Sequence, residues 1–457
     1  MKAGIFERTY KDKDFLWQAA SVAVPVTLTL VLNNVTNMVD TLMIGKLGTA
    51  SISAVGLANK FFFVFALMVF GVHSGTGLLM AQFFGNNDTY HIRKTFGLGL
   101  LINLVGSLIF MTVAFLRPGF ILHLFTNSSE AIEIGSRYLR KVCFCYPLFA
   151  ATSIMSSMLR STRNVKATVI SSTAAIITNI TLNYTLIFGH FGFRPMGVEG
   201  AAIATVIARL VECSILIYHS FIKIDILKGK LADFIGWSKS FINNFTSHSL
   251  PVIFNEMTWG LGTTLYFVAY GHISDEAVAA ITISTSITDI ITTTGNGLSS
   301  AASVLLGNEL GAGRLEKAYD YSKKILVLGL TTGILMAALF MPFRGLILSI
   351  FDVSDIVRYS AKFCLTEYLL ILPMAMSNLI IIVGVLRAGG DTKMCFIIDT
   401  AGVWFLAAPL AFLGAMVWHL PIQAIYPMVL SEEVFKSIAA FLRYRKKIWL
   451  KNLAVEV

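Results

Sequence analysis

The stretch LPVIFNEMTWGLGTTLYFVAY, residues 250–270, decides how this chain is read: it is long and apolar enough to cross a bilayer, yet it carries Glu256 near its middle. An ionisable side chain at membrane depth costs at least about 2.5 kcal/mol, so it is retained for a purpose such as binding an ion or relaying a proton. The same stretch opens the second half of the chain. Aligning it with the first long apolar segment puts Pro25 on Pro251, a shift of 251 minus 25, or 226. That shift also sets Gly45 on Gly271, Ala54 on Ala280, Ser74 on Ser300, Gly85 on Gly311 and Pro147 on Pro373. With one gap, at a shift of 227, Arg160 falls on Arg387 and Lys166 on Lys393. The chain is one unit written twice.

Composition agrees with a polytopic membrane protein. Hydrophobic residues make up 56% of the 457 and charged residues 14%, and mean hydropathy is +0.73, beyond the balance of a soluble domain. The N-terminal MKAGIFERTYKDKDF is charged and has no apolar core followed by a small-residue cleavage site, so it is read as retained. The five cysteines lie in or beside apolar segments without a C-x-x-C pair, which indicates neither a disulfide framework nor a zinc site. The net charge of +10 falls mostly in short loops, where it orients the protein in the membrane and needs no nucleic acid to explain it.

At roughly 20 apolar residues per span, the sequence predicts twelve transmembrane helices. The first half gives 15–44, 52–84, 96–116, 136–160, 165–189 and 197–222; the second gives 245–271, 277–309, 321–342, 358–387, 393–416 and 420–442. The expected fold is all-α, with two six-helix lobes (15–222 and 245–442) related by a pseudo-two-fold axis along the membrane normal, because six is even and both halves enter from the same side. A short N-terminus (1–14), a linker (223–244) and a basic C-terminus (443–457) complete it. Lys and Arg concentrate in the loops on the side of both termini, Arg387 among them, which predicts cytoplasmic termini in a plasma (inner) membrane.

Polar residues within the spans are the candidate site. Asn33, Asn37 and Asp40 follow at i, i+4 and i+7 along one face of helix 1; Asn179 and Asn183 stand at i, i+4 in helix 5, with Thr205 in helix 6. In the second half Glu256 shares its face with Thr263, and helix 8 runs Thr282, Ser286, Asp289, Thr293, Asn296 at steps of three or four. Glu256 and Asp289 are expected to share one vestibule, suited either to a proton, since neighbouring buried carboxylates raise each other's proton affinity, or to a hard cation. Arg209 with Glu212 and Glu432 with Lys436 read as neutralising pairs within single helices, while Glu367 and Asp399 have no partner on their own helices. Pro25 and Pro251, at matching places in the repeat, are expected to bend helices 1 and 7. No H-E-x-x-H, G-x-S-x-G or Walker A pattern occurs, so the chain is read as no enzyme and as driven, if it pumps, by an ion gradient.

The blocks VDTLMIGKLGTASISAVGLAN (39–59), its counterpart at 271–284, NITLNYTLIFG (179–189), MGVEGAAIAT (196–205), LLGNELGAGRLEKA (305–318) and LRAGGDTK (386–393) resemble the multidrug and toxic compound extrusion family, MATE, over residues 15–445. The resemblance implies a twelve-helix, two-lobed antiporter that exports bulky, often cationic compounds in exchange for Na+ or H+ by alternating access. It implies that Asp40 is the family's helix 1 aspartate and that Asn179 and Thr205 belong to the first-lobe cation site, with Asn183 standing where the DinF-type branch has an aspartate. Glu256 matches the helix 7 glutamate of the NorM-like branch, whose helix 10 aspartate is replaced by Met376. The sequence-level expectation is therefore a monomeric multidrug exporter in which Asp40 and Glu256 couple ion to drug, with Asp289, Asn179, Asn183 and Thr205 assisting. Asn33, Asn37, Thr263, Ser286, Thr293, Asn296 and Met376 are expected to line the substrate cavity. No cofactor is expected beyond the coupling Na+ or H+, and no partner beyond lipid and small molecules. A flippase for lipids or lipid-linked oligosaccharides is the alternative.

Overall fold

A computed structural model describes residues 4–351 and 353–455, and among them the regular structure is helical. The sequence repeat reappears helix for helix. α1 (Lys13–Gly45) and α7 (Lys239–Gly271) are both 33 residues long, and α2 (Thr49–Gly85) and α8 (Asp275–Gly311) are both 37. Each pair begins and ends at the 226 shift. α3 (Thr89–Leu116) and α9 (Leu315–Leu348) also begin at that shift. The remaining long helices are α4 (Ser129–Val142, continued as Cys145–Ser161), α5 (Lys166–Phe188), α6 (Val198–Ile217, ending in a π turn to Lys223), α10 (Asp355–Leu379, continued by a π segment to Leu386), α11 (Thr392–Val417, with two π segments) and α12 (Ile422–Arg445).

Proline acts differently at the two repeat-related positions. Pro147 has no N–H to donate, and its ring presses on the carbonyl four residues back, at Cys143. The helix breaks there, and the two parts of α4 meet at 50°. Pro373 instead lies within an unbroken α10, where Gly333 of α9 admits its backbone closely: a Cβ on Gly333 would come within 2.6 Å of the Pro373 Cα. Pro25 and Pro251 likewise lie inside continuous helices.

Two compact units make up the described chain. The amino-terminal unit is Leu28–Phe84 with Asp88–Phe245; the carboxy-terminal unit takes the chain up to Thr27, residues 85–87 and everything from Thr246. The chain passes between units two residues after Pro25 in α1 and five residues before Pro251 in α7. In the amino-terminal unit the core is aromatic: Phe65 stacks on Tyr146 at 4.9 Å, with Phe61, Phe62, Phe110 and Phe149 around them. Lys94 closes this unit's end by donating to the Ala232 and Gly236 carbonyls at 3.2 and 3.3 Å, and to Ile235, so the loop after α6 is held down by a buried ammonium. That loop is shorter than the 223–244 linker of the sequence reading, because α7 already begins at Lys239.

In the carboxy-terminal unit α8, α9, α10 and α12 pack around Ile281, Ile287, Leu365, Leu369, Tyr270 and Tyr426. The basic C-terminus folds back onto it: Trp449 is fully buried, and its carbonyl lies so close to Gly389 that a Cβ there would meet it at 1.6 Å. Outward-facing apolar side chains such as Trp17 (76% exposed) and Phe405 (79%) suit a surface solvated by lipid.

The short helix Ile5–Lys11 docks on α9, where the Tyr10 hydroxyl donates to Thr331 at 2.6 Å and Lys324 donates to Asp12 at 2.6 Å while also pairing with Asp320. The hydrogen bond from Lys324, helped by the Phe15 amide, holds the Asp12 carboxyl below its ordinary 3.8. A carboxylate whose folded value is depressed contributes stability above its unfolded value and loses it as pH falls through the folded one. Asp12→Asn should therefore unfold at lower temperature than wild type near neutral pH, and the difference should close on acidification below the ordinary Asp value, as read by thermal melts across pH.

Candidate functional site

Eight helices are by themselves long and apolar enough to span a bilayer, and the bent α4 makes a ninth. Among the described residues the long helices outside that group are α5, α7 and α12. Their polarity is concentrated: Asn179 and Asn183 in α5, Asn255 and Glu256 in α7, Glu432, Glu433 and Lys436 in α12. These three helices fall outside the apolar group because each polar group inside a span lowers its hydropathy and has to be matched by a partner.

In the amino-terminal unit, α1, α2, α4, α5 and α6 enclose a cavity of about 560 Å³, within the roughly 300–1,000 Å³ usual for small-molecule sites. Asn33, Asn37 and Asp40 line it from α1, Asn179 from α5, Thr205 from α6. The 3.6-residue period sets Asn179 and Asn183 one above the other, and the structure joins them to both neighbours. Asn183 Nδ2 donates to Asp40 Oδ1 at 2.5 Å and to Asn179 Oδ1 at 3.1 Å, and Asn179 Nδ2 reaches Thr205 Oγ1 at 3.5 Å. One hydrogen-bonded chain thus links Asp40 on α1 to Thr205 on α6. Asn183 Oδ1 is a buried acceptor with no hydrogen-bond partner among the described residues. The other charges lining the cavity are Arg209 and Glu212, which pair at 2.6 Å, with Ser172 donating to Glu212 at 3.2 Å. Two carboxylates and one guanidinium leave the lining at net −1, and the uncompensated charge is that of Asp40.

The carboxy-terminal unit treats Glu256 differently. Its Oε1 accepts from Arg387 Nη1 at 2.7 Å, with the two side chains 12% and 3% exposed. Sequence reading places Arg387 in a cytoplasmic loop; the structure buries it at the end of α10 as the counter-charge of Glu256. Asp289 does not join them. It lies exposed on α8, and the charges that act on Glu256 among the described residues are Arg387 and Asp399. Thr282, Ser286 and Asn296 are also exposed, while Thr293 is buried. Three α8 hydroxyls of the predicted polar stripe bond within their own helix: Thr282 donates to the Val278 carbonyl, Ser286 to Thr282 and Thr293 to Ile290, at 2.6–2.8 Å. Thr263 similarly donates to Gly260 at 3.0 Å. Met376 is 1% exposed and belongs to the apolar core of α8 and α10.

A second polar cluster draws on α7, α10, α11 and α12. Lys436 stands 3.5 Å from Glu432, 3.9 Å from Asp399 and 4.0 Å from Glu433. The Tyr266 hydroxyl donates to Glu432 at 2.7 Å, Asn378 to Glu433 at 2.7 Å, and Asn255 to Asp399 at 3.0 Å. Periodicity within α12 exposes the Glu432–Lys436 pair to sequence reading. Asp399, Asn255, Asn378 and Tyr266 reach it from other helices, and spacing along one chain carries no signal for that.

A family model described as MatE matches residues 25–185 and 251–413 of the chain. A transporter named YisQ from Bacillus subtilis (strain 168), described as uncharacterized, is 24% identical over 456 residues, 99% of each chain. A probable multidrug resistance protein NorM from Thermotoga maritima is 24% identical over 439 residues, covering 94% of this chain and 92% of its own. The crystal structure of a MATE protein in complex with MaL6 superposes with a TM-score of 0.86 at 17% identity, over 94% of this chain and 96% of that one. The fold is accordingly the twelve-helix, two-lobed one of these transporters.

Removing one member of a buried ion pair strands the other. Glu256→Gln should destabilise the protein by about 3–5 kcal/mol, because the buried Arg387 would lose the carboxylate it is paired with. The double variant Glu256→Gln/Arg387→Gln should cost clearly less than the sum of the two single substitutions, read as melting temperatures of detergent-purified protein.

Proposed function

The chain belongs to the MatE family of membrane transporters, and on that premise we propose that it is a secondary active exporter that exchanges organic, often cationic, compounds for Na+ or H+ by alternating access. One observation carries the reading: the amino-terminal cavity has room for a drug-sized molecule and a net charge of −1, localised on Asp40. An organic cation is attracted to that charge, and a small cation or a proton competes for it. The Asp40 carboxylate, with the Asn179, Asn183 and Thr205 oxygens, is a donor set suited to a hard monovalent cation, and the same carboxylate can take a proton. Either event neutralises the charge that holds the substrate. A ligand shifts a two-state transporter only through its different affinity for the two states, and mutually exclusive occupancy of Asp40 supplies such a difference.

Glu256 contributes in another way. Its ion pair with Arg387 fixes α7 to the end of α10, so its charge is already compensated and the coupling rests on Asp40. A lipid-linked oligosaccharide flippase would have to hold a pyrophosphate, for which a lining of net −1 is unsuited. The relatives are transporters, and in this reading the protein works without an organic cofactor, as a monomer in the plasma membrane with both termini in the cytoplasm.

The test is ethidium efflux from vesicles reconstituted with purified protein, under an imposed pH gradient or an imposed Na+ gradient. One gradient should drive export by wild type, and Asp40→Asn should abolish the gradient-driven part while the protein inserts normally. Export by Asp40→Asn equal to wild type, or export indifferent to both gradients, would overturn the reading.

A further inference from the structure

The amino-terminal cavity has a charge at its rim that the proposed exchange does not use. Lys60 lies within α2, a helix long and apolar enough to span a bilayer, and it is exposed. Among the described residues no hydrogen bond, ion pair or ring contact reaches its ammonium. Arg209, Arg387 and Lys436, by contrast, each stand beside a carboxylate. A lysine left unmatched inside a spanning helix faces water or a ligand in preference to lipid, because hydrocarbon does not solvate an ammonium.

Its place on the helix says which water. Gly56, one turn before it, and Phe63, one turn after it, share its face. Both line the cavity that holds Asp40, as does the neighbouring Asn59. A Cβ on Gly56 would meet no atom within 4 Å, so the space beside Lys60 is open. The repeat gives the same answer from the other half. At the 226 shift Gly56, Lys60 and Phe63 stand on Thr282, Ser286 and Asp289 of α8, and all six are exposed. A face that carries a charge in each half is a wet face in both.

We propose that Lys60 is a specificity-determining residue, whose ammonium takes the carboxylate of a zwitterionic substrate while Asp40 holds the cationic nitrogen of the same molecule. The inference rests on the exporter reading and narrows its substrates from organic cations at large to compounds that carry both an amine and an acid group. The cavity walls include the rings of Phe62, Phe63, Tyr138 and Tyr146, which suit a flat aromatic body between the two charged ends. The lining's charge of −1 and the lysine's +1 match a zwitterion charge for charge, whereas a plain cation leaves Lys60 unanswered. No bond is made or broken: the lysine keeps its proton and donates through it to the carboxylate.

Two dyes that share one chromophore test this. Rhodamine 110 has a free carboxylate and is a zwitterion at neutral pH; rhodamine 123 is its methyl ester and a plain cation. Binding of each to purified full-length protein in detergent is read by fluorescence polarisation. Lys60→Gln should lower the ratio of rhodamine 110 affinity to rhodamine 123 affinity by about tenfold, the worth of one hydrogen bond between charged groups. Lys60→Arg should restore most of the ratio, and Asp40→Asn should weaken both dyes. An unchanged ratio in Lys60→Gln would overturn the inference and leave the exporter reading in place. Wild type that binds neither dye, or undiminished binding of both by Asp40→Asn, would overturn the exporter reading and this inference with it.

Discussion

A carboxylate inside a membrane-spanning helix must be matched, and the ways in which it is matched organise this protein. Asp40 receives a neutral amide, from Asn183, and keeps its charge available. Glu256 receives a guanidinium and becomes a structural tie between α7 and α10. Glu432, Glu433 and Asp399 divide a single ammonium. These arrangements differ in what faces each carboxylate: a neutral amide in a cavity, a guanidinium of its own, and one ammonium divided among three.

The repeat shows how one architecture comes to hold such different sites. Helices α1 and α7 match residue for residue in length and placement, as do α2 and α8. Backbone geometry is therefore shared between the halves, while the side chains at equivalent places have diverged. Aspartate on α1 is answered by Tyr266 on α7, and Ser172 on α5 by Asp399 on α11. Divergence extends to the backbone where proline allows it: Pro147 breaks α4, whereas Pro373 is absorbed by a glycine-lined approach of α9. A duplicated fold of this kind can carry an open site in one half and a closed, charge-dense one in the other without changing its helix plan.

Apolar length, internal duplication and polar spacing are properties of a single strand of sequence, and they determined the helices and the two halves and singled out Asp40, Asn183, Asn179 and Thr205 as candidates, whereas the hydrogen-bonded chain that joins them is visible only in the structure. Glu256 was legible as an unusual residue but not as a paired one. Its partner Arg387 lies 131 positions away in sequence, beside charged loop residues that give it a cytoplasmic appearance. Asp289 misled for the opposite reason, because a polar stripe at helical spacing says which residues share a face but not what that face meets. The hydroxyls of Thr282, Ser286 and Thr293 bond to their own helix's backbone, which no spacing rule distinguishes from a shared vestibule. The sequence by itself determined where the helices run and marked Asp40, Glu256, Asp399 and Glu432 as carboxylates inside them. Only the tertiary structure decided which of those charges are spent on each other, since ion pairing at membrane depth depends on contacts a few ångströms long between helices that are far apart along the chain.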